Sequence, residues 1–80
     1  MKTNLKNPTK IHIDGDFIKL DSLLKFSAIT STGGEAKYII SNGDVFVDDE
    51  VCFQRGRKIK PGSIVRVGED LLLVEKRKRV

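Results

Sequence analysis

The spacing of apolar residues along the chain changes twice, and each change predicts a new kind of element. From Lys10 to Leu20, isoleucines alternate with polar residues around Asp14-Gly15, which is typical of extended structure on either side of a turn. From Leu20 to about Ser41 the spacing is helical, and from Val45 onward a period of two returns. This order predicts an α+β fold, with two short packed helices followed by a small antiparallel β-sheet.

The first predicted helix is short. Asp21 is a residue type that caps helices, and the helical segment Ser22 to Phe26 follows it directly. The leucines of this region are spaced to cover one apolar face: Leu20, Leu23 and Leu24. Since only the segment Ser27 to Ser31 links this helix to the next one, the two helices are expected to pack closely.

The second predicted helix has clearer boundaries. Thr32 and Glu35 have the spacing of a capping box, in which the hydroxyl accepts from the third helical amide and the glutamate reaches back to the cap. Asn42-Gly43 can adopt the left-handed conformation that ends a helix, so the helix is expected to run to about Ser41. Its predicted buried stripe is Ala36, Ile39 and Ile40.

Short strands separated by turns are predicted for the rest of the chain. Val45 and Val47 share one strand face, and Asp48-Asp49-Glu50 forms a turn before residues 51–53. A polar loop over residues 54–58 and a turn at Pro61-Gly62 precede strands over residues 64–67 and 71–75.

The C-terminal residues 76–80 are strongly basic. The only apolar residue after Val74 is Val80, so nothing obvious attaches this segment to the core. We therefore expect one domain over residues 1–75 and a flexible basic tail over residues 76–80.

The net charge of +4 is distributed unevenly along the 80 residues. Residues 1–13 carry three lysines and no acid, residues 14–50 three bases and eight acids, and residues 51–80 nine bases and three acids. Such polarity favours a basic surface for a polyanion, most often RNA or DNA, although a solvated surface would have the same composition. A chain this short supports one small core and leaves little room for a substrate cleft.

Several classes of function find little support in the sequence. The single cysteine and single histidine cannot form a disulfide or a closed Cys/His zinc site, and no secretory or membrane-spanning segment is evident. His12, Asp14 and Asp16 alternate and could approach a metal, but a solvated hairpin is the simpler interpretation. Cys52 is expected in or beside the core. We expect no enzyme activity, no metal and no cofactor, and a cytoplasmic location.

Two basic or glycine-rich features are candidates for binding an anion. The amides of Gly33 and Gly34 open the second helix without bulky side chains, and Lys37 follows one turn later. An ordinary helix cap would look the same. The second feature is a set of alternating cations that could reach neighbouring phosphates, or simply keep the surface soluble: Arg55, Arg57, Lys58 and Lys60.

Together these residues resemble the S4 RNA-binding domain. The resemblance rests on three runs in order: Leu20-Asp21-x-x-Leu24, then Ser31-x-Gly-Gly-Glu35-Ala36-Lys37-x-x-Ile40-x-x-Gly43-x-Val45-x-Val47, then Arg55-x-Arg57-Lys58-x-x-Pro61-Gly62-x-x-Val65. It covers about residues 18–67 and is greatest to small stand-alone bacterial members of the family. It implies the αL arrangement, in which two helices precede a bent β ribbon.

The resemblance also implies a partner and a binding surface. In the family the first turn of the second helix and the basic ribbon face structured RNA, either ribosomal or transfer RNA. That role would pass here to Thr32, Gly33, Gly34, Lys37, Arg55, Arg57, Lys58 and Lys60. The chain departs from the family at Asp48-Asp49, where Asn-Gly is usual, and at Ser63, where aspartate is usual. Because acids repel phosphate, we expect the contacts on the side of the second helix and residues 55–60.

Two alternatives remain open at this stage. A β-grasp-like carrier would need a C-terminal Gly-Gly, whereas this sequence ends Lys78-Arg79-Val80. A small protein-interaction domain could use an exposed ribbon edge. Most of the aromatic residues are expected at core positions, so no platform for stacking bases is predicted. We expect a monomer that binds structured RNA and possesses no membrane affinity.

Overall fold

The computed structural model describes residues 8–77 of the chain. In this part, two helices lie within a set of seven strands, which confirms the α+β class. The elements in order are β1 (Thr9–Ile13), β2 (Ile18–Lys19), α1 (Leu20–Phe26), α2 (Gly33–Ser41), β3 (Val45–Val47), β4 (Glu50–Val51), β5 (Lys58–Ile59), β6 (Ile64–Val67) and β7 (Asp70–Lys76).

Five of these strands form one sheet, in the order β1-β7-β6-β3-β4. Its neighbours are antiparallel except β1 and β7, which run parallel and place Ile11 beside Val74. The sheet is therefore mixed, where the sequence predicted an antiparallel one. Parallel strands are not joined by a hairpin turn that could be recognised in the sequence, and here the two strands come from opposite ends of the described chain. The strands β2 and β5 form a separate antiparallel ribbon, the β2–β5 ribbon.

The core lies where the helices pack on the sheet. The predicted apolar faces of both helices pack toward the sheet, with Leu23 of α1 and Ile40 of α2 both fully inaccessible. They pack in one cluster with valines of the sheet, among them Val45, Val65 and Val74. Ile39, which the sequence placed in the buried stripe of α2, is only half-buried at the margin of this cluster.

The two helices end in different ways. At the end of α2, Gly43 adopts a φ of +84°, as its place after Asn42 predicted. At the end of α1 the corresponding left-handed residue is Ala28, with a φ of +67°. The amide of Ile29 then donates to the carbonyl of Leu24 over 3.1 Å, so the chain turns sharply toward α2. Alanine occupies this conformation at a cost that glycine would not incur.

The acidic turn between β3 and β4 involves two residues rather than the predicted three. Asp48 and Asp49 have φ values of +50° and +73°, so both central residues lie in the left-handed region that a type I′ hairpin requires. Asp48 is also held by β6, because its Oδ1 accepts from the amide of Ile64 over 3.0 Å. The two aspartates thus adopt the conformation for which Asn-Gly is usually selected.

The first residues of the expected tail are attached to the domain. Lys76 is the last residue of β7, and its Nζ lies 3.0 Å from Asp16 Oδ1. The amide of Arg77 donates to Ile13 over 2.8 Å, and its Nε lies 2.8 Å from Asp14 Oδ1. The prediction of an unattached arm is therefore wrong for these two residues, while residues 78–80 lie outside the described part. Over residues 8–77, neither helix has the length and apolar character needed to cross a bilayer.

Candidate nucleic-acid interface

The start of α2 is organised by a capping box. Thr32 is the N-cap in an extended conformation, and its Oγ1 accepts from the amide of Glu35 over 3.1 Å, as predicted. The glutamate side chain does not reach back to the cap itself. Its Oε1 accepts from the amide of Ser31, one residue earlier, over 2.6 Å. The box thus stabilises both the cap and the residue that precedes it.

Gly33 and Gly34 leave the first turn of α2 uncovered. A Cβ atom added at Gly33 would meet nothing within 4 Å, and one added at Gly34 would meet only the Thr32 hydroxyl, at 3.8 Å. Packing within the protein therefore does not explain two successive glycines. Both residues are exposed, as is Lys37 in the following turn. A partner could approach the backbone amides here without obstruction.

The basic loop, residues 54–57, is hydrogen-bonded to the beginning of α1 through its backbone. The amide of Leu20 donates to the carbonyl of Arg57 over 2.9 Å, and the amide of Asp21 donates to that of Arg55 over 3.1 Å. These carbonyls satisfy two of the free amides at the start of α1. The helix therefore starts at Leu20 after Lys19, which makes no side-chain capping bond, and the predicted Asp21 cap is wrong. Both arginine side chains remain exposed.

Lysines gather on the β2–β5 ribbon beside this loop. Lys19 lies directly opposite Lys58, while the neighbouring pair of Ile18 and Ile59 turns toward the core. Lys60 follows β5 and is also exposed. Lys19 was not among the predicted site residues. The alternation in Phe17-Ile18-Lys19 and Lys58-Ile59-Lys60 could have indicated that these cations share a face.

The predicted site residues fall into two groups. Residues 55–60 lie near the start of α1, and Phe53, just before them, contacts Gly43, where an added Cβ would come within 3.4 Å of the ring. Gly43 follows the C-terminal end of α2, whereas Thr32 lies at its N-terminal end. The helix between them rises about 12 Å, with Lys37 part of the way along. The candidate contacts therefore extend over a distance greater than the size of one phosphate group.

The aromatic residues are not in the core, and the sequence prediction for them is wrong. Exposed fractions are 41% for Phe17, 62% for Phe26, 68% for Tyr38 and 59% for Phe53. Phe46 is half-buried and packs beneath the guanidinium of Arg66, which lies 4.5 Å from the ring centroid. The core is built from aliphatic side chains instead, so stacking surfaces are available on the outside of the domain.

The residues considered for metal binding or thiol chemistry form ion pairs and core contacts in the structure. His12 Nε2 lies 3.2 Å from Glu75, and Asp14 and Asp16 pair with Arg77 and Lys76. Nowhere in residues 8–77 do three or more His, Cys, Asp or Glu side chains converge as metal ligands would. Cys52 is 4% exposed, and its Sγ lies 3.7 Å from the carbonyl of Gln54, which it contacts as a weak donor. It packs as a core residue, as the sequence predicted.

The two helices, the mixed sheet and the basic residues around the start of α1 define a small α+β domain of the S4 type. The family model described as "S4 domain" matches residues 11–75, and this chain belongs to that family. The chain is 38% identical over 63 residues to the "Probable ribosome maturation protein RlbA" of Bacillus subtilis (strain 168). The aligned residues cover 79% of this chain and 86% of that protein. These matches confirm the resemblance found in the sequence.

A solved structure shares the fold. The trimeric structure of Vibrio cholerae Heat Shock Protein 15 superposes with a TM-score of 0.66, covering 79% of this chain and 67% of that chain at 15% sequence identity. The superposition shows that the two proteins share the arrangement of their elements.

Proposed function

We propose that this protein is a non-catalytic RNA-binding protein that recognises structured RNA, ribosomal or transfer, through phosphate and shape contacts. The observation that carries the proposal is the attachment of the basic loop to α1. Backbone hydrogen bonds hold the Arg55 and Arg57 carbonyls in place, while the guanidinium groups stay exposed beside the lysines of the ribbon. Cations on a preformed surface can match the phosphate spacing of a folded RNA without ordering a loop on binding.

The α2 entrance supports a second set of contacts in the same proposal. Thr32 Oγ1 accepts from Glu35, which leaves its own hydroxyl proton able to donate to a phosphate oxygen. The amides of Gly33 and Gly34 point outward from the positive end of the helix dipole. We assign RNA contacts to Thr32, Gly33, Gly34 and Lys37 here, to Arg55 and Arg57 in the basic loop, and to Lys58 and Lys60 on the β2–β5 ribbon.

The Bacillus subtilis relative supports the ribosome as the target. The Bacillus subtilis relative is named a probable ribosome maturation protein, and the match covers most of both chains. We infer that this protein likewise associates with ribosomes or their precursors, and therefore acts in the cytoplasm. We propose that it binds as a monomer, which sedimentation at several concentrations would test.

Crosslinking in cells, followed by sequencing of the bound RNA, tests the class and identifies the partner together. The test compares the wild-type chain with a double variant, Arg55→Ala with Arg57→Ala, and with Lys25→Ala. Lys25 is an exposed cation in the last turn of α1, so its loss removes one surface charge away from the loop, against two in the double variant. We expect ribosomal or transfer RNA with the wild type and Lys25→Ala, and strongly reduced recovery with the double variant. Equal recovery from all three proteins would contradict the proposal.

A further inference from the structure

One phenylalanine lies among the lysines of the β2–β5 ribbon. Lys19 and Lys58 are opposite each other, so their side chains share the outer face of the ribbon, and Ile18 and Ile59 share the inner one. Continuing this alternation by one residue places Phe17 and Lys60 on the outer face as well. All four outer residues are exposed, whereas Ile59 is fully buried.

The ring of Phe17 is contacted by one of these lysines. Lys58 Nζ lies 5.0 Å from the ring centroid, within the range of a cation–π contact. The side chain is 41% exposed, so part of the ring remains open to solvent. The contact places an ammonium group over the ring. A planar, electron-rich ligand with a neighbouring negative charge would therefore find both of its binding groups together.

The charges on this face are not balanced within the ribbon. Lys19 and Lys58 face each other directly, and like charges in this position destabilise a strand pair. Asp16 precedes Phe17, but its carboxylate is bound to Lys76 Nζ at 3.0 Å. An anion bound between Lys19 and Lys58 would remove this repulsion, so the pair favours an anionic ligand for this face.

From this juxtaposition we propose that Phe17 is a stacking platform for an unpaired nucleobase, with Lys19, Lys58 and Lys60 holding the phosphates on either side. This inference rests on the proposed function and adds to it. The RNA that binds is not uniformly paired, and carries a bulged or single-stranded nucleotide where it meets the ribbon. Stacking on an aromatic ring accepts any base, so the site selects for an unpaired nucleotide rather than for sequence.

The test compares two blunt-ended RNA duplexes that differ by a single-nucleotide bulge. Phe17→Leu removes the ring and keeps an apolar side chain, and Phe26→Leu is the matched control. Phe26 is also an exposed phenylalanine, but it is the last residue of α1, at the end opposite the one that the basic loop contacts. We expect Phe17→Leu to weaken binding of the bulged duplex about five- to hundredfold, and to leave the fully paired duplex unchanged. Phe26→Leu should affect neither RNA.

Phe17→Trp provides a direct measurement, because the chain contains no tryptophan. We expect this variant to keep its affinity for the bulged duplex, and its emission to be quenched only by that RNA. Equal losses for both duplexes in Phe17→Leu, or no quenching in Phe17→Trp, would overturn the stacking platform. Weakened binding of an acidic peptide such as polyglutamate by Phe17→Leu would overturn it in favour of a protein partner.

The outcomes also separate this inference from the proposed function. If the wild type binds neither duplex, the proposed RNA-binding function fails, and the stacking platform fails with it. If it binds both duplexes equally and Phe17→Leu has no effect, the stacking platform alone fails.

Discussion

The carbonyl of Arg57 accepts a hydrogen bond from the amide of Leu20, over 2.9 Å, at the first residue of α1. This bond joins the basic loop to the helix through main-chain atoms alone. The guanidinium group of Arg57 therefore takes no part in holding the fold, and it remains exposed. Stability and binding should consequently depend on different atoms of the same residue.

Arg57→Ala should separate these two properties. The substitution keeps the carbonyl that binds Leu20, so the free energy of unfolding should change by less than about 0.5 kcal/mol. Binding to structured RNA should weaken, since one phosphate contact is lost. Circular dichroism melting and fluorescence anisotropy measure the two quantities.

Ile40→Ala is the opposite control. Ile40 is fully buried, and its truncation should cost about 2–5 kcal/mol of stability. Unfolding of Arg57→Ala would show that its side chain is structural.

Binding should depend on salt in proportion to the number of phosphates contacted. If four of the cations at Lys37, Arg55, Arg57, Lys58 and Lys60 reach phosphates, the slope of log K against log salt should be about −3 to −4. Removing one of them, as in Arg57→Ala, should make the slope shallower by about 0.7–0.9. Anisotropy titrations from low to moderate salt measure both values. An affinity that does not change with salt would rule out the electrostatic mechanism.

Thr32→Ala should destabilise the domain independently of any effect on RNA. The hydroxyl of Thr32 accepts from the amide of Glu35, and loss of such a cap costs about 0.5–2 kcal/mol. Thr32→Ser retains the hydroxyl and should remain close to the wild type. Urea unfolding measures the difference. Equal stability of all three proteins would mean that solvent satisfies the Glu35 amide as well as the threonine does.

Ala28→Gly should stabilise the protein. Alanine at a φ of +67° is strained, and glycine at this position should raise the free energy of unfolding by about 0.5–1 kcal/mol, after allowing for its greater freedom when unfolded. Lys25→Gly, three residues earlier inside α1, should instead lower it by about 1 kcal/mol. Thermal melts of the two variants should therefore shift in opposite directions. A decrease in both would indicate that Ala28 is not held in the left-handed conformation.

Local sequence signals were sufficient for the parts of the fold that depend on near neighbours. The capping Thr32, the stop at Gly43 and the apolar faces of both helices each involve residues within a few positions of one another, and the structure confirms them except at Ile39, which is half-buried. The Asp21 cap is wrong because its role is taken by carbonyls of Arg55 and Arg57, which are distant in the chain. A long-range acceptor leaves no signal beside the helix that it caps.

The sequence by itself determined the helical and β patterns, the family and the cations of the candidate site other than Lys19. Tertiary structure alone decided which of those residues meet. Strand pairing joins β1 to β7 in parallel, holds Lys76 and Arg77 against the turn after β1, and brings Lys19 opposite Lys58. It also leaves Phe17 exposed beside Lys58, although hydrophobicity predicted a buried ring. The physical reason is that hydrophobicity states which residues gain from burial, while the limited volume between two short helices and a sheet decides which of them are buried.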